Sequence, residues 1–261
     1  MVSKKSLIEK IQSMYSFKSI YLGYNRIVIH ETTRAFSSEE EGFVDSEWDK
    51  LIAQGKVKYS NAIVALNPET IYVNGNELYV DAYPSDFKHY RTTLNSNIPK
   101  VWLTGPSGVM KANAYGESWY VFGVRKSATL RTGGDIETIP GGFLDVEYLF
   151  QQNPFQNALY NELEEETGIS RENVTSVIPM RMGTLSIDTR GNRPAYNVCT
   201  DFLMNISLNP EEIQKSFSSK EREHTKIEIV SGEDLLDYVD KNKEGMNTRT
   251  LFTLDYLLQI I

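Results

Sequence analysis

The chain has 261 residues, 40% of them hydrophobic and 24% charged, with a formal net charge of −8. This is an ordinary globular composition, long enough to bury a core without staples. The acidity argues against a general nucleic-acid surface, which needs clustered Lys and Arg, and the single cysteine, Cys199, excludes an internal disulfide. Glu9, Lys10 and Gln12 interrupt any apolar signal region at the N-terminus. No stretch approaches the ~18 apolar residues of a membrane span, so a cytoplasmic location with no membrane partner is expected.

In chain order, MVSKKSLIEKIQSMYSF predicts a short amphipathic helix, KSIYLGYNRIVIH a strand, and DSEWDKLIAQG a helix stopped by Gly55. The runs TIYV and ELYV flank Asn74-Gly75-Asn76, which predicts a tight hairpin. YPSDFKHYRTTL reads as a helix capped by Ser85, and the polar stretch LNSNIPK places a domain boundary at 98/99. Residues 1–98 are thus expected to form a smaller β-rich α+β domain.

Beyond it, VWLTG and SWYVFGVRK predict two strands separated by a loop from Pro106 to Glu117. After the segment TLRTGGDIETIPGG, Asn153-Pro154 opens a helix that runs through FQNALYNELEEET to a stop at Gly168. Strands around SVIPMRMGTLSI and AYNVCTDFLMNISL follow, then a helix from Asn209-Pro210, a strand TKIEIV, and helices capped by Ser231 and Asn247. Strands mixed with few helices, not in strict alternation, predict an α+β or layered αβα domain over residues 99–261.

The helix after Asn153 carries the chemistry. At 3.6 residues per turn, Phe155, Ala158 and Leu159 mark the core-facing stripe. Glu162, Glu165 and Glu166 fall at about 340°, 280° and 20° on the same wheel, with Phe155 at zero, whereas Glu164 points away at about 180°. A Glu-rich helix is usually a solvated face. Here the acids continue the apolar stripe, and three carboxylates on one inward face need compensation. A hard divalent cation supplies it, and Mg²⁺ in turn binds phosphates.

IPGG at 139–142 followed by NELEEETGI at 161–169 resembles the Nudix box, G-x5-E-x7-R-E-U-x-E-E-x-G-U with U aliphatic; Glu162, Leu163, Glu165, Glu166, Gly168 and Ile169 match its second half. The resemblance implies an αβα sandwich with a mixed sheet and a Mg²⁺-dependent hydrolase of the diphosphate in a nucleoside diphosphate linked to another moiety, Mn²⁺ being the other candidate ion. It also implies that Glu162, Glu165 and Glu166 are catalytic and metal-ligating, with Gly142 in the metal set. Two positions depart from the pattern. Asn161 replaces the box arginine, and the stretch from Gly142 to Asn161 is five residues longer than the pattern, which puts Tyr148 where the first box glutamate belongs and Glu147 one position short. The layout is similar to Nudix enzymes acting on uridine diphosphate sugars such as UDP-glucose. ADP-ribose and a non-catalytic nucleotide-binding role stay open.

Arg125, Lys126, Arg131 and Arg190 are candidates for gripping a phosphate or sugar acid group, against the alternative that they solvate an edge or loop. Tyr115, Trp119 and Tyr196 could stack on a base, though packing is the commoner use of aromatics. His30, His89 and His224 show no metal spacing and receive no role. Cys199 lacks a base partner. The expected partner is a small-molecule nucleotide, and the expected assembly a homodimer built through the N-terminal residues.

Overall fold

A computed structural model describes residues 3–15, 17, 19–125, 136–188, 193–217 and 224–261. Its helices are α1 (Lys4–Ser13), α2 (Ser38–Ala53), α3 (Phe87–Thr93), α4 (Val146–Leu149), α5 (Pro154–Thr167), α6 (Pro210–Ser216), α7 (Leu235–Asn242) and α8 (Thr248–Ile260). Its strands are β1 (Ser19–Tyr21), β2 (Arg26–Glu31), β3 (Ala62–Leu66), β4 (Tyr72–Asn74), β5 (Glu77–Asp86), β6 (Leu103–Ala114), β7 (Glu117–Arg125), β8 (Ile136–Thr138), β9 (Val174–Asp188), β10 (Arg193–Ile206) and β11 (His224–Ser231).

Among the described residues these strands form one mixed, eleven-stranded sheet, so the class is α+β. Its main path runs β1-β9-β10-β6-β3-β5-β2. The pairs β10–β6 and β2–β5 are parallel and the rest antiparallel. Strand alternation sorts side chains to two faces. Met110, Val121, Met182 and Phe202 pack with Phe155, Leu159 and Leu163 of α5. Val109, Tyr120, Phe122 and Met180 pack on the opposite face with α1, α7 and α8 through Leu7, Leu235 and Leu254. Helices therefore cover both faces of this part of the sheet. Strands from either side of 98/99 share it: β3 meets β6 at Ala65 and Leu103, and β1 pairs with β9.

Several local expectations shift. The helix read from Asp45 begins at Ser38, because Ser37 and Glu40 form a capping box that already stops the chain from continuing as a loop. The β4–β5 hairpin is present, but its central pair is Gly75-Asn76, with positive φ at Gly75 alone. α3 is capped by Asp86 rather than Ser85. Asn153 precedes α5 in the left-handed region and makes no side-chain cap.

The loop expected from Pro106 is strand instead. Pro106 has no N–H to give, but on that edge β6 meets the glycine turn, which takes Thr104 O, Pro106 O and Gly108 N and asks nothing of the proline nitrogen.

A buried ionic knot ties the chain's two ends together. Arg181 is 2% exposed and pairs with Asp255 at 3.0 Å and Asp201 at 3.4 Å, its guanidinium lying 3.6 Å over the Phe252 ring. Tyr15 and Gln12 reach Asp255 from the N-terminal segment at 2.6 and 2.9 Å. Burial raises the Asp201 pKa to about 6, against the lowering pull of Arg181 and Arg249.

A carboxyl raised this way binds protons more readily folded than unfolded. Its contribution is therefore fully present below the unfolded value of about 4 and is lost as pH rises through 6. Arg181→Met strands two buried carboxylates and should destabilise the fold by about 3–5 kcal/mol. Denaturant titrations should show the larger loss at pH 8 than at pH 5, where Asp201 is mostly protonated. An equal loss at both values would dissociate Asp201 from the effect.

Candidate functional site

The site is assembled on the edge of β6 that faces away from β10. The turn after β8 lies along this edge: Gly108 N donates to Pro140 O at 2.6 Å, Gly142 N to Pro106 O at 3.3 Å and Leu144 N to Thr104 O at 2.9 Å. Leu144 O in turn accepts from Val64 N of β3 at 2.7 Å. Such close approach needs bare backbone. A Cβ on Gly105 would overlap Gly142 O, and one on Gly142 would overlap the Glu162 carboxylate. The glycines thus let the turn touch a strand on one side and a box glutamate on the other.

α5 delivers the acids unevenly. Glu166 is 5% exposed and accepts from Gly141 N at 3.1 Å, while Glu162 is half-buried against Gly142. Glu165 is exposed. Its wheel position, about 280°, puts it at the rim of the buried arc, which on the other side extends to Leu163 and Thr167. Asn161, in the box arginine's place, donates to Glu165 Oε1 at 2.8 Å and so still orients a box carboxylate. Burial drives the Glu166 pKa well above the usual carboxylate range, reinforced by the charges of Glu162 and Glu137 and only partly offset by the Gly141 amide and Arg125.

The lengthened loop brings further acids to the Glu165 side. Burial raises the Asp145 pKa, with Glu147 and Glu165 adding to it. Burial also raises that of Tyr148, followed by the charges of Glu147, Asp145, Glu165 and Glu162. The residue at the first box-glutamate position therefore stands among carboxylates without being one.

Behind the turn is a cluster that spacing did not reveal. Glu137, 6% exposed, is bonded by Arg125 Nε, by His224 Nε2 at 2.7 Å and by Asn247 Nδ2 at 2.8 Å. Burial alone would raise its pKa, but the His224 hydrogen bond and the Arg125 charge outweigh it and hold Glu137 below the ordinary range. Arg125 is thus engaged by a carboxylate, and His224, which the sequence left without a role, is fully buried as its second partner. The signal available was position: Glu137 lies three residues before Pro140, while its partners come from strands and a helix remote in sequence.

The other candidates disperse. Lys126, Arg131 and Arg190 lie outside the described residues. Tyr115 is exposed at the β6–β7 turn and bonds Glu211, Trp119 donates to Ala114 O, and Tyr196 packs edge-on against Trp102. Cys199 is buried. Gly142 O faces Arg249 rather than the box acids.

Among the described residues no three His, Cys, Asp or Glu side chains stand close enough to close around an ion. The donor chemistry nevertheless fits Mg²⁺ or Mn²⁺. Mg²⁺ is commonly held by one or two carboxylates together with water and phosphate oxygens, and Glu162 with Glu166 forms an all-oxygen pair whose mutual repulsion a cation would relieve.

No family model matches the sequence, and no curated protein matches it. Solved structures do align with it. The C. elegans Ap4A hydrolase binary complex is 17% identical, covering 61% of this chain and 99% of that one at a TM-score of 0.37. The NUDIX domain of Shewanella oneidensis NrtR complexed with ADP ribose is 13% identical, covering 59% and 95% at 0.36. DR0079 from Deinococcus radiodurans is 12% identical, covering 76% and 98% at 0.44. At such TM-scores these likenesses assign neither a family nor a substrate to this chain. No helix among the described residues is long and apolar enough to cross a membrane.

The Glu162–Glu166 coupling is directly measurable. In Glu162→Gln the carboxyl carbon of Glu166, followed by NMR, should titrate at lower pH than in the parent, because one of the two anions holding its proton is gone. An unchanged midpoint would mean that the two do not share one site.

Proposed function

We propose that this chain is a Nudix-type pyrophosphohydrolase that uses Mg²⁺ or Mn²⁺ to cleave the diphosphate of a nucleoside diphosphate linked to another group. Nucleotide sugars such as UDP-glucose are the first substrates to test and ADP-ribose the next. The observation that carries this reading is a carboxylate, Glu166, whose proton affinity is raised by burial first and by Glu162 next, and which accepts from the glycine turn at Gly141. Two acids that raise each other's charge cost beside a glycine turn form a place for a cation, at an energetic cost to the apo fold.

When bound, the ion polarises a diphosphate oxygen and makes a water more acidic. The chain's own residues do the rest. Glu162 and Glu166 hold the ion's side of the substrate. One of the carboxylates would take a proton from an attacking water, and the solvent exposure of Glu165, hydrogen-bonded by Asn161, supports assigning it that role. Arg125, paired with Glu137 beside the turn, would meet a substrate phosphate with its guanidinium donors.

Incubation with Mg²⁺ and a panel of uridine diphosphate sugars, ADP-ribose, dinucleotides and nucleoside triphosphates, with product identification, tests the reading. Glu166→Gln should lower kcat on the order of a hundredfold or more while keeping or raising the melting temperature, since it removes a buried ionisable group. Full activity in that variant would remove Glu166 from the chemistry. Nucleotide-induced stabilisation without turnover would favour a non-catalytic binder.

A further inference from the structure

We infer that Arg249, in the first turn of α8, is the positioning residue that sets the glycine turn and thereby the ion-binding geometry of Glu162. The inference rests on the metal-dependent reading above only in assuming that Glu162 helps to hold a divalent ion.

Three observations converge. Arg249 is part-buried and its guanidinium reaches two backbone carbonyls at once, Gly105 O at 2.7 Å and Gly142 O at 3.5 Å. Those carbonyls belong to different segments, the start of β6 and the turn, so one planar fork joins them. The contact they bracket is tight on the strand side, because a Cβ at Gly105 would overlap backbone at Gly142 O, and on its other side the Glu162 carboxylate lies against Gly142 where a Cβ would sit. Displacing Gly142 O therefore moves the surface on which Glu162 rests.

The same turn of α8 grips β8 independently. Asn247 Nδ2 bonds Glu137 Oε2 at 2.8 Å, Thr250 Oγ1 accepts from Thr138 N at 3.1 Å, and Met246 forms a bridge with Ile136. Arg249 is the member of this set that extends past β8 to the turn itself. Its buried Nε finds no partner among the described residues. The guanidinium therefore spends its terminal nitrogens on the two carbonyls, closely on Gly105 O and at longer range on Gly142 O, while Nε stays unmet.

Lysine cannot replace such a fork, since it offers a point charge in place of two planar donors. This gives opposite signs to the two roles Arg249 could play. If it acts only through charge, Arg249→Met should tighten cation binding by removing a nearby positive group, and Arg249→Lys should leave it unchanged. If it positions the turn, Arg249→Lys should weaken binding although the charge is kept.

The test is Mn²⁺ binding to the full chain, read by water-proton relaxation without any nucleotide. Arg249→Lys and Arg249→Met should each raise the Mn²⁺ Kd tenfold or more. Gly105→Ala, which pushes Gly142 O from the other side, should do the same and serves if the arginine variants fold poorly. Leu257→Ala, in the core of the same helix, should lower the melting temperature and leave the Kd within twofold. An unchanged Kd in Arg249→Lys, or a matching rise in Leu257→Ala, overturns this inference and leaves the hydrolase reading standing. Absence of Mn²⁺ binding in the parent chain overturns both.

Discussion

The turn that carries the candidate chemistry has its position because β6 divides its backbone between two kinds of neighbour. One edge pairs in register with β10 over ten residues, from Leu103 to Ala112. The other edge meets β7 only from Lys111 onward, and its first half is given to the glycine turn. A strand edge is a row of donors and acceptors that must be satisfied, and here a loop satisfies them. Every feature of the site follows from that docking: the bare glycines, the approach of Glu162, the burial of Glu166 and the reach of Arg249.

Charge is distributed to match. The net charge of −8 is not spread evenly: Asp145 and Glu147 at α4 stand near Glu162 and Glu165 in the C-terminal half of α5, with Glu166 buried beside Glu162. The basic groups behind the turn face other partners, Arg125 together with the His224 ring meeting Glu137 and Arg249 meeting the carbonyls. A second buried set joins Arg181 of β9 and Asp201 of β10 to Asp255 of α8. Arg249 lies between the two, since its charge also lowers the pKa of Asp201.

The sequence made the periodic features legible. The 3.6-residue stripe through Phe155, Ala158 and Leu159 correctly put Glu166 on the buried face, and Gly168 closes α5 in the left-handed conformation a glycine stop requires. Alternation found β7, β9, β10 and β11. What periodicity could not supply was partnership. Pro106 reads as a breaker until the neighbour on its nitrogen side is known to need no donor. Glu137, His224 and Arg249 are separated by 87 and 112 positions from the first to each of the others, and only tertiary contact brings them near one turn. Glu165 lay at the edge of the predicted arc, where a small error in the buried sector decides between inside and outside, and it is outside.

The hydrogen bond from Val64 to Leu144 has a further meaning for how this chain can be divided. Leu66 N likewise bonds Trp102 O, and Ile63 bridges Asp145 at the threshold of the acidic loop. A chain starting at residue 99 would leave those carbonyls bare and uncover Val101 and Leu103, which pack with Ile63, Ala65 and Tyr83. The polar stretch at 95–100 punctuates the sequence, but the far end of the reactive turn is stitched by the segment that comes before it. Shortening or grafting the acid-bearing half would thus change the frame that holds the acids, even with every box residue retained.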